Sequence, residues 1–154
     1  MPARRILVVE DERIVALNLR RKLTMLGYQA AESVSRGDHA LRSIEESRPD
    51  LVLMDIRIEG PLDGIATAAR IPPEYNIPVI YLTSYSRDEV LRRTGGSHPY
   101  LLKPFSEREL QATIQMTFAR CQAEAASRVE SQKSPVMNDV GAWPALWEDS
   151  LQLR

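Results

Sequence analysis

The sequence predicts an α/β fold: a doubly wound, five-stranded parallel sheet with a helix after each strand. Three observations predict it. Short apolar runs, four or five residues long and rich in Val, Ile and Leu, suit strands buried on both faces. Segments with apolar residues at steps of three or four separate these runs, as amphipathic helices require. Polar landmarks then close four of the runs: Glu10 and Asp11, Asp55, Thr83, and Lys103. Strands beginning near residues 6, 28, 51, 78 and 100 imply right-handed crossovers and an open sheet.

Each element has its own justification. Ile6-Leu7-Val8-Val9 is the first strand, and Val15, Leu19, Leu23 and Leu26 mark the helix after it, with Gly27 as its stop. The second strand is the weakest. Tyr28-Gln29-Ala30-Ala31 is half polar, which suits an edge position. Ala40, Leu41 and Ile44 mark a second helix that ends before Pro49, and Leu51-Val52-Leu53-Met54 is the third strand. Ile65, Ala68, Ala69 and Ile71 mark a third helix, cut short by Pro72-Pro73. Val79-Ile80-Tyr81-Leu82 and Tyr100-Leu101-Leu102 are the fourth and fifth strands; Pro99 is tolerable at the start of the latter. Ser86 with Glu89, and Ser106 with Glu109, read as capping boxes that open the fourth and fifth helices. Leu110, Ile114 and Phe118 form the buried stripe of the fifth. Residues 1–123 are expected to form the domain and 124–154 a tail. The Ala/Glu/Ser/Gln-rich stretch up to Ser134 suits a longer fifth helix, which Pro135 would stop. Trp143 and Trp147 follow without clear periodicity.

At 154 residues and a net charge of −1, the chain has one domain's worth of core and nothing that favours a nucleic acid or a membrane surface. The single cysteine, Cys121, excludes an internal disulfide framework and fits a reducing compartment. No run approaches the roughly 20 apolar residues that cross a bilayer. Met1-Pro2-Ala3-Arg4-Arg5 leads straight into a strand, so a signal peptide is not expected and a cytoplasmic location is.

Ligands on such sheets bind beyond the carboxyl ends of the strands, where strand order reverses. Three carboxylates, a hydroxyl and an ammonium would converge there, a set suited to a divalent metal and a phosphoryl group. Taken singly, each has a plainer reading. Asp55 alone would start a turn, and Glu10-Asp11-Glu12 would favour a helix N-terminus. Thr83-Ser84 would be a loop pair, Lys103 a solvated cation, and Tyr100 core. Jointly those plain readings must all hold at once. His39, His98 and Cys121 read as structural or surface residues, too few for a Cys/His zinc site.

Val9-Glu10-Asp11-Glu12, Leu53-Met54-Asp55-Ile56, Leu82-Thr83-Ser84 and Leu102-Lys103-Pro104-Phe105 closely resemble the motifs of the receiver domain of two-component response regulators, chemotaxis regulators among them. The resemblance covers roughly residues 4 to 122, with Glu10 where Asp is commoner. It implies a flavodoxin-like sheet of order 2-1-3-4-5. It implies Asp55 as phosphoacceptor, and Mg²⁺ held by Glu10, Asp11, Asp55 and the backbone carbonyl of Arg57. Lys103 would pair with a phosphoryl oxygen, and Thr83 and Tyr100 would form the switch. The readout face would be the fourth helix, fifth strand and fifth helix. Lys103-Pro104 becomes a candidate cis peptide.

The implied partners are a sensor histidine kinase or histidine phosphotransfer protein and a downstream effector protein or further domain, with a phosphorylation-dependent homodimer also open. With no helix-turn-helix or basic region after the receiver, direct nucleic-acid binding is not expected of this chain, and membrane binding is not expected either. The reading is of a signalling domain rather than an enzyme, at most phosphorylating and dephosphorylating itself. Two alternatives stay open: a receiver-like interaction module that ignores phosphorylation, and a haloacid-dehalogenase-type phosphatase. The latter wants an acid two residues after its nucleophile, where this chain has Arg57.

Overall fold

The computed structural model describes residues 2–30, 32–96 and 98–133, the last five by backbone alone. The elements are β1 (Ile6–Val9), α1 (Arg13–Met25), β2 (Ser33–Val34), α2 (Gly37–Ser47), β3 (Leu51–Asp55), α3 (Gly64–Ala69), β4 (Val79–Thr83), α4 (Arg87–Thr94), β5 (Tyr100–Leu102) and α5 (Glu107–Lys133). A 3₁₀ turn, Pro73–Tyr75, lies between α3 and β4. All strand pairs are parallel, in the order β2-β1-β3-β4-β5. Among the described residues no helix is long and apolar enough to cross a membrane.

Local chemistry sets the helix ends. Gly27 follows α1 at φ +95°, a left-handed conformation that glycine adopts without a Cβ clash. The Ser106 hydroxyl accepts from the Glu109 N–H at 3.0 Å, and Glu109 Oε1 accepts from the Ser106 N–H at 3.1 Å, closing the capping box. At α4 the Ser86 hydroxyl accepts from the Glu89 N–H at 3.3 Å. Asp63 caps α3 by accepting from the Ala66 N–H at 2.7 Å. That helix lasts six residues before Pro72 and Pro73.

One strand is displaced from its expected position. Tyr28-Gln29-Ala30 contributes a single bridge, Gln29 beside Arg5, and the paired strand forms later, with Ser33 and Val34 beside Val8 and Val9. Between those anchors β1 advances three residues and its neighbour four. The extra residue is a bulge-like irregularity that an edge strand absorbs without disturbing the sheet. Ala31 lies outside the described residues, as does the tail beyond residue 133, including Trp143 and Trp147.

Side chains alternate across the sheet and build a core on each face. Ile6 and Val8, Leu51 and Leu53, Ile80 and Leu82, and Leu101 pack with Leu19 and Leu23 of α1 and with Leu110, Ile114 and Phe118 of α5. Leu7, Val9, Val52, Met54, Val79 and Tyr81 pack on the other face with Ala40 and Ile44 of α2. Each fully buried Leu or Ile contributes roughly 1.5–3 kcal/mol, so this two-sided burial is what commits the runs to a central sheet. The chain divides into two units, Met1–Phe118 and Ala119–Arg154. The first holds the sheet, and the described part of the second is helix as far as Lys133.

Candidate functional site

The pleat decides which polar residues meet. The alternation that sends Val8, Leu53 and Leu101 to one face sends Asp55, the last residue of β3, the same way, along with Glu10 and Lys103 one step past β1 and β5. The backbone carries that regularity forward: Glu10 N–H donates to the Val34 carbonyl at 2.9 Å, and Lys103 N–H to that of Thr83 at 2.7 Å. Val9 pairs with Met54 in the β1–β3 register, so Glu10 comes beside Asp55.

The Lys103 ammonium donates to Asp55 Oδ2 at 2.6 Å and to Glu10 Oε1 at 2.8 Å. The Glu10 and Asp55 side chains are 0% and 9% exposed and that of Lys103 22%, so these are strong, charge-assisted contacts out of bulk water. Burial alone depresses the Lys103 pKa; the hydrogen bonds and charges of Asp55 and Glu10 outweigh it, and the pKa ends above the usual lysine range. The second Asp55 oxygen accepts from the Arg57 N–H at 3.0 Å, and Glu10 Oε2 from the Glu12 N–H at 3.3 Å.

Asp11 stands apart from this pairing while belonging to the same cluster. Glu10, Asp11 and Asp55 each offer an oxygen, all within 4.8 Å of one another. Partial burial, then a hydrogen bond with Glu10 and the Glu10 charge, push the Asp11 pKa above the usual carboxylate range. Three carboxylates against one ammonium leave negative charge uncompensated. An all-oxygen set with that deficit fits a hard divalent cation such as Mg²⁺. Asp11 also lines a cleft of about 460 Å³ with Arg57, Pro61, Asp63, Ala66 and Tyr85 among its walls.

Thr83, at the end of β4, is buried, and its hydroxyl accepts from the Tyr85 N–H at 2.9 Å. Tyr100 is half-buried, faces Tyr81 in the β4–β5 register, and packs against the same core as Tyr85. The Lys103–Pro104 peptide is cis, as the motif resemblance led us to expect. Gly64 explains how Asp55 is steadied from below: a Cβ there would overlap the Asp55 carbonyl oxygen, so only glycine lets α3 start this close. His39 is exposed and Cys121 half-buried, while His98 packs edge-on against Tyr81 at 5.4 Å, its pKa lowered by burial.

One group escaped sequence reasoning. The Tyr85 ring carries two guanidinium groups, that of Arg57 at 5.5 Å and that of Arg93 at 4.7 Å from its centroid. Arg57 and Tyr85 are visible from their spacing, two residues after Asp55 and Thr83. Arg93 has no such marker.

Fold and site together define a parallel α/β signalling module with an acid and lysine centre at its strand-order reversal. The chain belongs to the response regulator receiver domain family of two-component systems, whose model matches residues 6–115. It is 33% identical over 119 residues to the transcriptional regulatory protein PdtaR of Mycobacterium tuberculosis, covering 76% of this chain and 58% of that protein. It is 31% identical over 150 residues to the transcriptional regulatory protein BaeR of Escherichia coli, covering 96% and 61%. The chain thus spans about three-fifths of the length of these curated relatives. Among solved structures it is similar to the signal receiver domain of a modulated diguanylate cyclase from Desulfovibrio desulfuricans, with a TM-score of 0.72 and 36% identity, covering 79% of this chain and 98% of that one.

Proposed function

We infer that this receiver, taken as residues 1–123 followed by a tail, accepts a phosphoryl group on Asp55 from a phosphohistidine of a sensor histidine kinase or phosphotransfer protein. One observation carries the reading: Lys103 bridges Asp55 and Glu10 with Asp11 alongside, an arrangement that leaves room in its charge balance for a divalent cation and a phosphoryl group. Glu10, Asp11, Asp55 and the Arg57 carbonyl would hold Mg²⁺, which supplies charge neutralisation between an anionic nucleophile and an anionic phosphoryl group.

An Asp55 carboxylate oxygen bonds to phosphorus while the bond from phosphorus to the donor imidazole breaks. The imidazole nitrogen keeps that electron pair and takes up a proton. Lys103, already aimed at Asp55, pairs with a phosphoryl oxygen as a compact point charge. The side chains thus work by position and charge. The Thr83 hydroxyl, accepting from Tyr85 N–H, keeps its own proton to donate to the phosphoryl group. Tyr100 turns inward as that loop moves, and the face made by α4, β5 and the start of α5 reads out the change to an effector protein, a further domain or a second copy. Arg57 argues against the phosphatase alternative, because a guanidinium does not act as the general acid such chemistry needs. Cytoplasmic work beside a kinase follows from this reading.

Incubation with acetyl phosphate and Mg²⁺, followed by intact mass, tests it. One phosphoryl group is expected on the wild type and none on Asp55→Asn. A wild type that takes no label, or an Asp55→Asn variant that takes it equally well, would overturn the proposal.

A further inference from the structure

The Tyr85 ring sits between two cations with different freedom. Arg93, on α4, is tied to Glu89, whose Oε1 accepts from Arg93 Nε at 3.1 Å; Glu89 also pairs with Arg92. Arg57 has no such tether among the described contacts of its guanidinium; its Tyr85 stacking distance, 5.5 Å, is the longer of the two. The Arg57 backbone meanwhile holds Asp55 Oδ1 at 3.0 Å, and Arg57, Asp11 and Tyr85 line one cleft. Arg57 therefore borders the same space as Asp11, the outer member of the acidic centre.

We propose that Arg57 has two positions, stacked on Tyr85 while Asp55 is free and paired with the phosphoryl group once Asp55 carries it, and that this exchange reports the state of Asp55 to α4 through Tyr85 and Arg93. The proposal deepens the reading above and rests on it. Two like charges on one half-exposed ring are a weak arrangement, whereas a guanidinium and a phosphoryl group form a charge-assisted fork. A phosphoryl group brings close to two negative charges at neutral pH. Arg57 is the cation free to answer it; Arg93 is held by Glu89. When Arg57 leaves, Tyr85 keeps only its α4 partner. Its backbone anchor, the Thr83 hydroxyl, is the same group that is drawn to the phosphoryl oxygen. Ring and loop loosen together, and α4 loses the clasp that joins it to the loop after β3.

The test compares wild type, Arg57→Met and Tyr85→Leu, each with and without acetyl phosphate and Mg²⁺. Intact mass gives the label in every sample, and amide hydrogen exchange is read across α4. Wild-type exchange in α4 should rise about threefold on labelling, the equivalent of one exposed cation–π contact. Tyr85→Leu should show that rise before labelling and little more after it. Arg57→Met should behave likewise to the extent that it is labelled. An equal rise on labelling in all three proteins, or a labelled wild type whose α4 does not change, overturns the clasp while leaving phosphorylation at Asp55 standing. A wild type without label removes both.

Discussion

The acidic centre has an inner and an outer half, built on different principles. Inside, Glu10, Asp55 and Lys103 are desolvated and mutually paired, so their positions are fixed before any ligand arrives. Outside, Asp11 is half-buried, lacks a cation of its own in the described contacts, and shares an open cleft with Arg57 and Tyr85. The contrast teaches a division of labour. The sheet sets Asp55 and its lysine, and the loops supply what a cation or phosphoryl group would complete.

The largest expected effect comes from disturbing the support under the inner half. Gly64→Ala should cost about 3 kcal/mol in urea unfolding, because the new methyl group overlaps the Asp55 carbonyl oxygen. A cost near zero would mean that β3 is not held rigidly from below. Next, Lys103→Met leaves two buried carboxylates without their cation and should destabilise the metal-free fold by about 2 kcal/mol. Equal stability to wild type would say the inner half is as loosely held as the outer.

The outer half is sharpened by kinetics. Arg57 and Tyr85 line the cleft beside Asp11, where under the proposed function they would hinder water on its way to an acyl phosphate, so the label should outlast seconds. Replacing both by Ala should shorten its lifetime about tenfold by the same measurement of label against time. The smallest effect belongs to Asp11. Its raised pKa means that its ionised form is disfavoured in the fold, so the contribution it makes to stability is present at low pH and lost as pH rises through the folded-state value. Asp11→Asn should therefore stabilise the metal-free protein slightly at neutral pH, solvent screening keeping the effect small at this partly exposed site, and should forgo most of the added stability expected from Mg²⁺ in the wild type. Thermal unfolding with and without Mg²⁺ reads both signs.

Much of this was legible in the sequence for a physical reason. Doubly buried strands need unbroken apolar runs, and the polar residue that ends such a run marks the sheet's carboxyl edge, which is how Glu10, Asp55, Thr83 and Lys103 announce themselves. The Ser86 and Ser106 caps are equally local, so they too are readable. The second strand was not. Its placement at Ser33–Val34 depends on partners in β1 and on one extra residue between two anchors, and an edge strand has no two-sided burial to imprint a pattern. Arg93 was hidden for a related reason: its contact with Tyr85 joins a helix to a loop, and an exposed arginine among Arg87, Arg92 and Arg93 carries no periodic signature.

The most direct measurement is reductive trapping of the acyl phosphate with borohydride after exposure to acetyl phosphate and Mg²⁺, followed by peptide mapping. One modified position is expected, residue 55, lost in Asp55→Asn and strongly reduced when Mg²⁺ is chelated. Modification at another acidic residue, or undiminished labelling without the metal, would contradict it.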